Sequence, residues 1–242
     1  MPAPSFAYEL FALGDTAITI DLGNRIDKKL NEEIISRYNQ FRQEPLTGMI
    51  EVVPAYSTLT IYYDLTIIRK KIKPGSTAFG YLCKEIEKKL SQPVQNIKKE
   101  KRQVRLPVCY EEDFAPDIDQ LAKQKNISRE EIIRIHTSSS YHVYMMGFLP
   151  GFAYMGEVSE AISTQRKTQP VSIIAGSVGI AGRQTGIYPF DSPGGWQIIG
   201  RTPLKLFDSN KEDCSLLKTG DEVVFFAISK EEFYKLKTDK ET

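Results

Sequence analysis

"GSVGIAGRQTGIYPFDSPGGWQIIGRTP", residues 176–203, holds seven of the chain's sixteen glycines and its only tryptophan. It carries three charges, Arg183, Asp191 and Arg201, in a chain that is 26% charged. A flexible Ser/Gly linker would not interleave Ile, Tyr, Phe and Trp. A P-loop would place a Lys after its second glycine, and a dinucleotide loop would read G-x-G-x-x-G. Positions 176, 179 and 182 read G-x-x-G-x-x-G instead, among short apolar runs. The stretch therefore reads as strands of a closed β structure. Its glycines either turn corners or let another group approach the backbone.

Outward from there, the pattern from Tyr141 onward is almost wholly β. The runs "YHVYMM", "VSIIA", "WQIIG", "LKLF" and "EVVFFAI" are separated by Gly, Pro and Asp turns, as in a barrel or sandwich. Upstream, "QVRLPV" alternates Val104, Leu106 and Val108 as a half-buried strand. Two helices should follow, with capping boxes at Asp117/Gln120 and Ser128/Glu131.

The first ninety residues alternate differently. "YELFALGDTAITIDLG" (8–23) reads as two strands around Gly14-Asp15. Asp27 starts a helix with Leu30, Ile34, Tyr38 and Phe41 on one face. "MIEVVPAYSTLTIYYD" (49–64) gives two strands, and Pro74 opens a helix carrying Phe79, Leu82, Ile86 and Leu90. The order resembles a split βαβ, ferredoxin-like unit. The polar segment 91–102 marks a boundary, giving an N-terminal α/β domain, 1–95, and a β-barrel domain, 96–242. The fold class is α+β.

Composition excludes several classes. A formal charge of +1 gives no reason for a nucleic-acid or membrane surface, and "KKEKR" (98–102) reads as a solvated connector. Cys83, Cys109 and Cys214 have neither disulfide nor zinc spacing, and two histidines make no metal site. Without a signal-peptide pattern or a spanning apolar run, the expected location is cytoplasmic. There is no GxSxG element and no acid/base carboxylate pair that stands out. Chemistry here would rest on polarising and positioning a substrate.

Five blocks then carry a resemblance: "LGDTAITIDLG" (13–23), "IHTSSSYHV" (135–143), "GFLPGFAYMGE" (147–157), "AGSVGIAGRQTGIYP" (175–189) and "SPGGWQIIGRTP" (192–203). Together they resemble the bacterial family that holds the B component of 5-oxoprolinase, the sporulation-kinase inhibitor and the first component of allophanate hydrolase. The same unit forms half of the carboxyltransferase part of urea amidolyase. The resemblance implies a cyclophilin-like barrel after the α/β domain, a companion cyclophilin-like subunit, and a third subunit. Together these would open 5-oxoproline to glutamate at the expense of ATP. The alternative it implies is a regulator that binds a sensor histidine kinase and blocks its autophosphorylation. A peptide-binding module ranks below both. Where the family carries two Pro-Arg pairs, this chain has "STQRKTQPVSIIAGS" (163–177). Arg166 is the arginine that survives, and Gln165 and Val171 stand near the expected Pro and Arg.

The candidate catalytic residues are His136, Gln184, Tyr188 and Arg201. His136 is read either as a cap on helical carbonyls or as a proton donor facing the cleft. For substrate or nucleotide binding the candidates are Gly176, Ser177, Gly179, Gly182, Arg183, Thr185 and Arg166, with bare glycine N–H groups forming an anion nest. Phe148, Phe152 and Tyr154 are candidates for a cleft or interface, and Trp196 for packing a barrel corner.

Overall fold

Gly14, at φ +64°, turns β1 (Glu9–Ala12) back onto β2 (Ala17–Asp21) as an antiparallel hairpin. α1 (Lys28–Gln43) starts at Asp27, whose carboxylate accepts the Leu30 N–H at 2.8 Å. It buries Leu30, Ile34 and Phe41 and leads to β3 (Met49–Pro54) and β4 (Thr58–Tyr63). The sheet order is β1-β2-β4-β3, antiparallel throughout. β2–α1–β3 is thus a split βαβ with β4 between its strands, and β1 fills the edge beside β2. Pro54 ends the other edge strand, where a missing N–H costs no ladder bond.

A short helix without a sequence signal, α2 (Leu65–Arg69), follows, capped by Asp64 through the Thr66 and Ile67 N–H groups. α3 (Ala78–Leu90) buries Leu82, Ile86 and Leu90, but Pro74 does not open it. Gly75, at φ +85°, breaks the path, and Thr77 caps the helix by accepting the Gly80 N–H at 3.0 Å.

The computed structural model describes residues 6–93 and 102–238, and the chain divides into two units, 1–99 and 100–242. The boundary expected between 95 and 96, and all of "KKEKR" except Arg102, lie outside the described residues.

The second unit begins with β5 (Gln103–Cys109), a 3₁₀ turn at Glu112–Phe114, α4 (Ile118–Lys125) and α5 (Arg129–Thr137). Then come β6 (Ser140–Met146), β7 (Ala153–Gly156), β8 (Val171–Ile173), β9 (Ser177–Ala181) and β10 (Gln184–Ile187). β11 (Ser192–Gly194), β12 (Gln197–Arg201), β13 (Glu222–Ile228) and α6 (Lys230–Thr238) complete it. Seven strands close into a barrel in the order β10-β7-β6-β13-β5-β12-β9, with β13 and β5 parallel. β8 and β11 form a separate ribbon.

Three local expectations change. Ser128 caps α5 through the Glu131 N–H at 3.1 Å, but the Asp117 side chain makes no cap for α4. "LKLF" contributes only a bridge from Phe207 to Ser215. α6 interrupts the all-β pattern. Its reciprocal capping box joins Ser229 N–H to Glu232 at 2.8 Å and Glu232 N–H to Ser229 at 3.2 Å.

Candidate functional site

Side chains alternate across a strand, so β10 serves two environments. Thr185 and Ile187 point into the barrel, while Gln184 and Gly186 face outward. Inside, Val108, Tyr141, Val143, Met155, Val178, Ile180, Ile199 and Phe225 pack as one core.

His136 belongs to that interior. It is wholly buried, its ring stacked 4.6 Å from Phe225. Nδ1 lies 2.7 Å from the Tyr110 hydroxyl and Nε2 3.2 Å from Thr185 Oγ1. Thr185 donates its one hydroxyl proton to the Gly179 carbonyl at 3.0 Å. It must therefore accept from His136 Nε2–H, which leaves Nδ1 to accept from Tyr110. Burial lowers the His136 pKa to about 3 and raises that of Tyr110, so the chain of bonds is neutral. His136 neither caps carbonyls nor faces a cleft. Thr185, expected as a binding residue, is its buried partner.

Outside, the glycines form a floor under aromatic rings. A Cβ on Gly186 would stand 3.0 Å from both Phe152 and Trp196. On Gly179 it would stand 3.0 Å from Trp196 Cβ, and on Gly194 2.4 Å from the Tyr188 hydroxyl. Phe152 packs edge-on against Tyr188 at 5.2 Å and Trp196 at 5.4 Å, and Tyr154 meets Trp196 at 5.9 Å. Phe148 extends this cluster outward. Its φ is +67°, the residue is 61% exposed, and its ring meets Phe152 edge-on at 5.7 Å.

The expected anion nest is not formed, because the glycine backbone is already engaged. Gly176 N–H donates to Tyr188 O at 2.7 Å, Ser177 N–H to Ile174 O at 3.1 Å and Gly182 N–H to Thr164 O at 2.6 Å. Gly179 lies in β9, which pairs on one side with β10 and on the other with β12. A barrel strand satisfies its own donors, and none is left for a phosphate.

Two of the candidate cations are also committed. Arg183 pairs with Glu157 at 2.5 Å, with Glu160 at 3.9 Å. Arg201 Nε donates to the Ala175 carbonyl at 2.8 Å, and its guanidinium lies over the Phe233 ring of α6. Burial lowers the Arg201 pKa, against the opposing charge of Asp191. Arg201 ties the barrel to α6 and to the turn before β9. Gln184 lies on the outward face of β10, in register with Gly156 and Ala181.

Arg166 is different. Its guanidinium lies over Gly195, with Nε 3.6 Å from where a Cβ would stand. It has no hydrogen bond or ion pair among the described residues. Its charge acts on the Tyr154 and Tyr188 hydroxyls, partly offsetting the burial that raises both pKa values. The segment around it is tied down. Thr164 O accepts from Gly182, Gln165 O from the Gln197 side chain at 3.2 Å, and Lys167 N–H donates to Gly195 O at 2.7 Å. The structure thus packs Tyr154, Tyr188, Phe152 and Trp196 in one largely buried cluster outside the barrel, with the exposed Arg166 charge acting on Tyr154 and Tyr188, and leaves His136 and Thr185 inside it. It also pairs Lys167 with Asp117, and no local pattern in the sequence signals that meeting. No group of three or more metal-ligating side chains occurs among the described residues, nor a helix long and apolar enough to cross a membrane.

The barrel with its glycine-floored aromatic face defines the class. The model of the carboxyltransferase domain, subdomain C and D, matches residues 8–217, and the chain belongs to that family. Within it, the chain is 40% identical to the B component of 5-oxoprolinase from Bacillus subtilis (strain 168) over 234 residues, 96% of this chain and 98% of that protein. It is 33% identical to the corresponding B component from Escherichia coli O157:H7 over 216 residues, 89% of this chain and 94% of that one. The crystal structure of TTHA0988 superposes with a TM-score of 0.75 at 29% identity and 88% coverage, and this chain spans 40% of that longer protein.

Proposed function

We propose that this chain supplies the carboxylate-recognition face of an ATP-dependent 5-oxoprolinase, which opens 5-oxoproline to glutamate. A companion cyclophilin-like subunit and a third subunit would complete the enzyme. The family and the named relatives support the activity. The observation that carries the site is the exposed Arg166 guanidinium, which lies beside Gly195 without a hydrogen-bond or ion-pair partner among the described residues and whose charge reaches the Tyr188 and Tyr154 hydroxyls.

The substrate is a small flat lactam with one carboxylate. A guanidinium fork matches a carboxylate in two parallel hydrogen bonds. The Trp196 backbone N–H approaches the oxygen of the buried Tyr188 phenol. Burial raises both phenol pKa values against the Arg166 charge. Because the glycine N–H groups are spent within the barrel, nucleotide phosphates are assigned to the companion subunits.

The test is ATP hydrolysis by the three mixed subunits as a function of 5-oxoproline. Arg166→Ala should raise KM for 5-oxoproline by roughly 10- to 150-fold, the worth of a charge-assisted hydrogen bond. An unchanged KM would remove Arg166 from the site.

A further inference from the structure

Asp117 sits where a helix cap belongs and does not cap. Ile198 N–H donates to its Oδ2 at 2.6 Å, its own N–H donates to Ile198 O at 3.0 Å, and Lys167 Nζ lies 2.7 Å from the same Oδ2. Forgoing a cap costs the helix stability. Where local preference is overridden, a functional demand is the usual reason. Ile198 lies at the irregularity of β12, where the register with β9 shifts before Gly200. One carboxylate therefore joins α4, the bulged strand beside Trp196, and the segment that carries Arg166.

We propose that Asp117 and Lys167 are positioning residues: their ion pair latches segment 163–170 against the barrel and so holds the Arg166 guanidinium beside Gly195. Lys167 is suited to this. Its backbone is held at Gly195, its ammonium at Asp117, and both ends of the pair are mostly buried, with side-chain exposures of 22% and 12%. A pair sheltered to that degree holds geometry better than a surface pair. With Thr164 and Gln165 also fastened, Arg166 is left exposed beside Gly195 without a hydrogen-bond or ion-pair partner among the described residues. The proposal rests on the Arg166 binding reading given above, since it assigns what aims the guanidinium used there.

The experiment has two readouts on Lys167→Met, with Lys167→Arg as the conservative variant. Hydrogen exchange of the 163–170 amides in the full chain reports the latch directly, and Lys167→Met should speed it about tenfold. In the reconstituted three-subunit enzyme, KM for 5-oxoproline should rise about tenfold with kcat within twofold, because misplacement of a binding group is felt in ground and transition states alike. Lys167→Arg should recover most of both effects. Unchanged exchange in Lys167→Met overturns the latch, and faster exchange with unchanged KM overturns the positioning role. If Arg166→Ala itself leaves KM unchanged, the failure lies with the Arg166 binding reading and the positioning role falls with it, whereas the exchange result still decides whether the latch exists.

Discussion

The inner and outer faces of the same barrel strands make opposite uses of polar groups. Inside, Tyr110, His136, Thr185 and Gly179 O are joined donor to acceptor without remainder. Outside, Arg166, on the segment before β8, stands beside Gly195 without a hydrogen-bond or ion-pair partner among the described residues. A buried polar group must be satisfied within the protein, because no water can compensate it. At a surface cleft an unsatisfied donor costs little, and it is what a ligand can use. The sequence nominates both His136 and Arg166 for chemistry, and this difference separates them: one stabilises the barrel, the other faces whatever binds.

The contrast can be broken most forcefully at Gly176. A Cβ there would lie 2.4 Å from the Thr202 carbonyl oxygen, at a φ of +83°. Gly176→Ala should cost roughly 2–5 kcal/mol from overpacking and backbone strain together, read as a lower urea midpoint. A cost under about 1 kcal/mol would mean the corner is softer than its geometry.

Thr185→Val should come next. It leaves His136 Nε2–H buried without an acceptor, which costs about 1–3 kcal/mol by chemical denaturation. Arg201→Ala should lose about 1–2 kcal/mol through its bond to Ala175 O and its packing on Phe233.

Acid stability gives a graded test of the interior. The folded His136 pKa of about 3 lies below the ordinary 6.5, so between those values the unfolded chain binds the extra proton. The contribution is therefore whole above pH 6.5 and is lost as pH falls, by up to about 1.4 kcal/mol per pH unit. His136→Gln should be less stable at pH 7 and show a flatter decline below about 6.5. A parallel decline would place the acid sensitivity elsewhere.

The smallest effect on stability belongs to Arg166. Arg166→Ala should stay within about 0.5 kcal/mol of the parent, as exposed substitutions do, while raising KM. A large stability loss would move Arg166 into the structural group with Arg201.

Much of this is legible in the sequence where the determining interactions are local. Asp27, Ser128 and Gly14 act within a turn of themselves, and alternating runs such as "EVVFFAI" mark strands because the period of a strand is a local property. The Ser229/Glu232 box is equally local, but it stands directly after a strong β run that masks it. Pro74 misleads because Thr77 offers the better cap three residues on.

The site is less legible, since its members are gathered across the barrel closure. Gly186 is visible as a glycine, but not that Phe152 and Trp196 occupy the space of its missing side chain. Arg166 and Arg183 look alike in sequence. Only the approach of Glu157 and Glu160 spends one and spares the other.

By itself, then, the sequence determined the α+β class, the order of most elements and the family, since hydrophobic period, caps and turn residues act over a few positions. Tertiary structure decided which polar groups were consumed. Whether a backbone N–H, a histidine or an arginine remains available depends on partners brought from distant strands, such as Thr185 to His136 and Lys167 to Asp117, and no local pattern encodes those meetings.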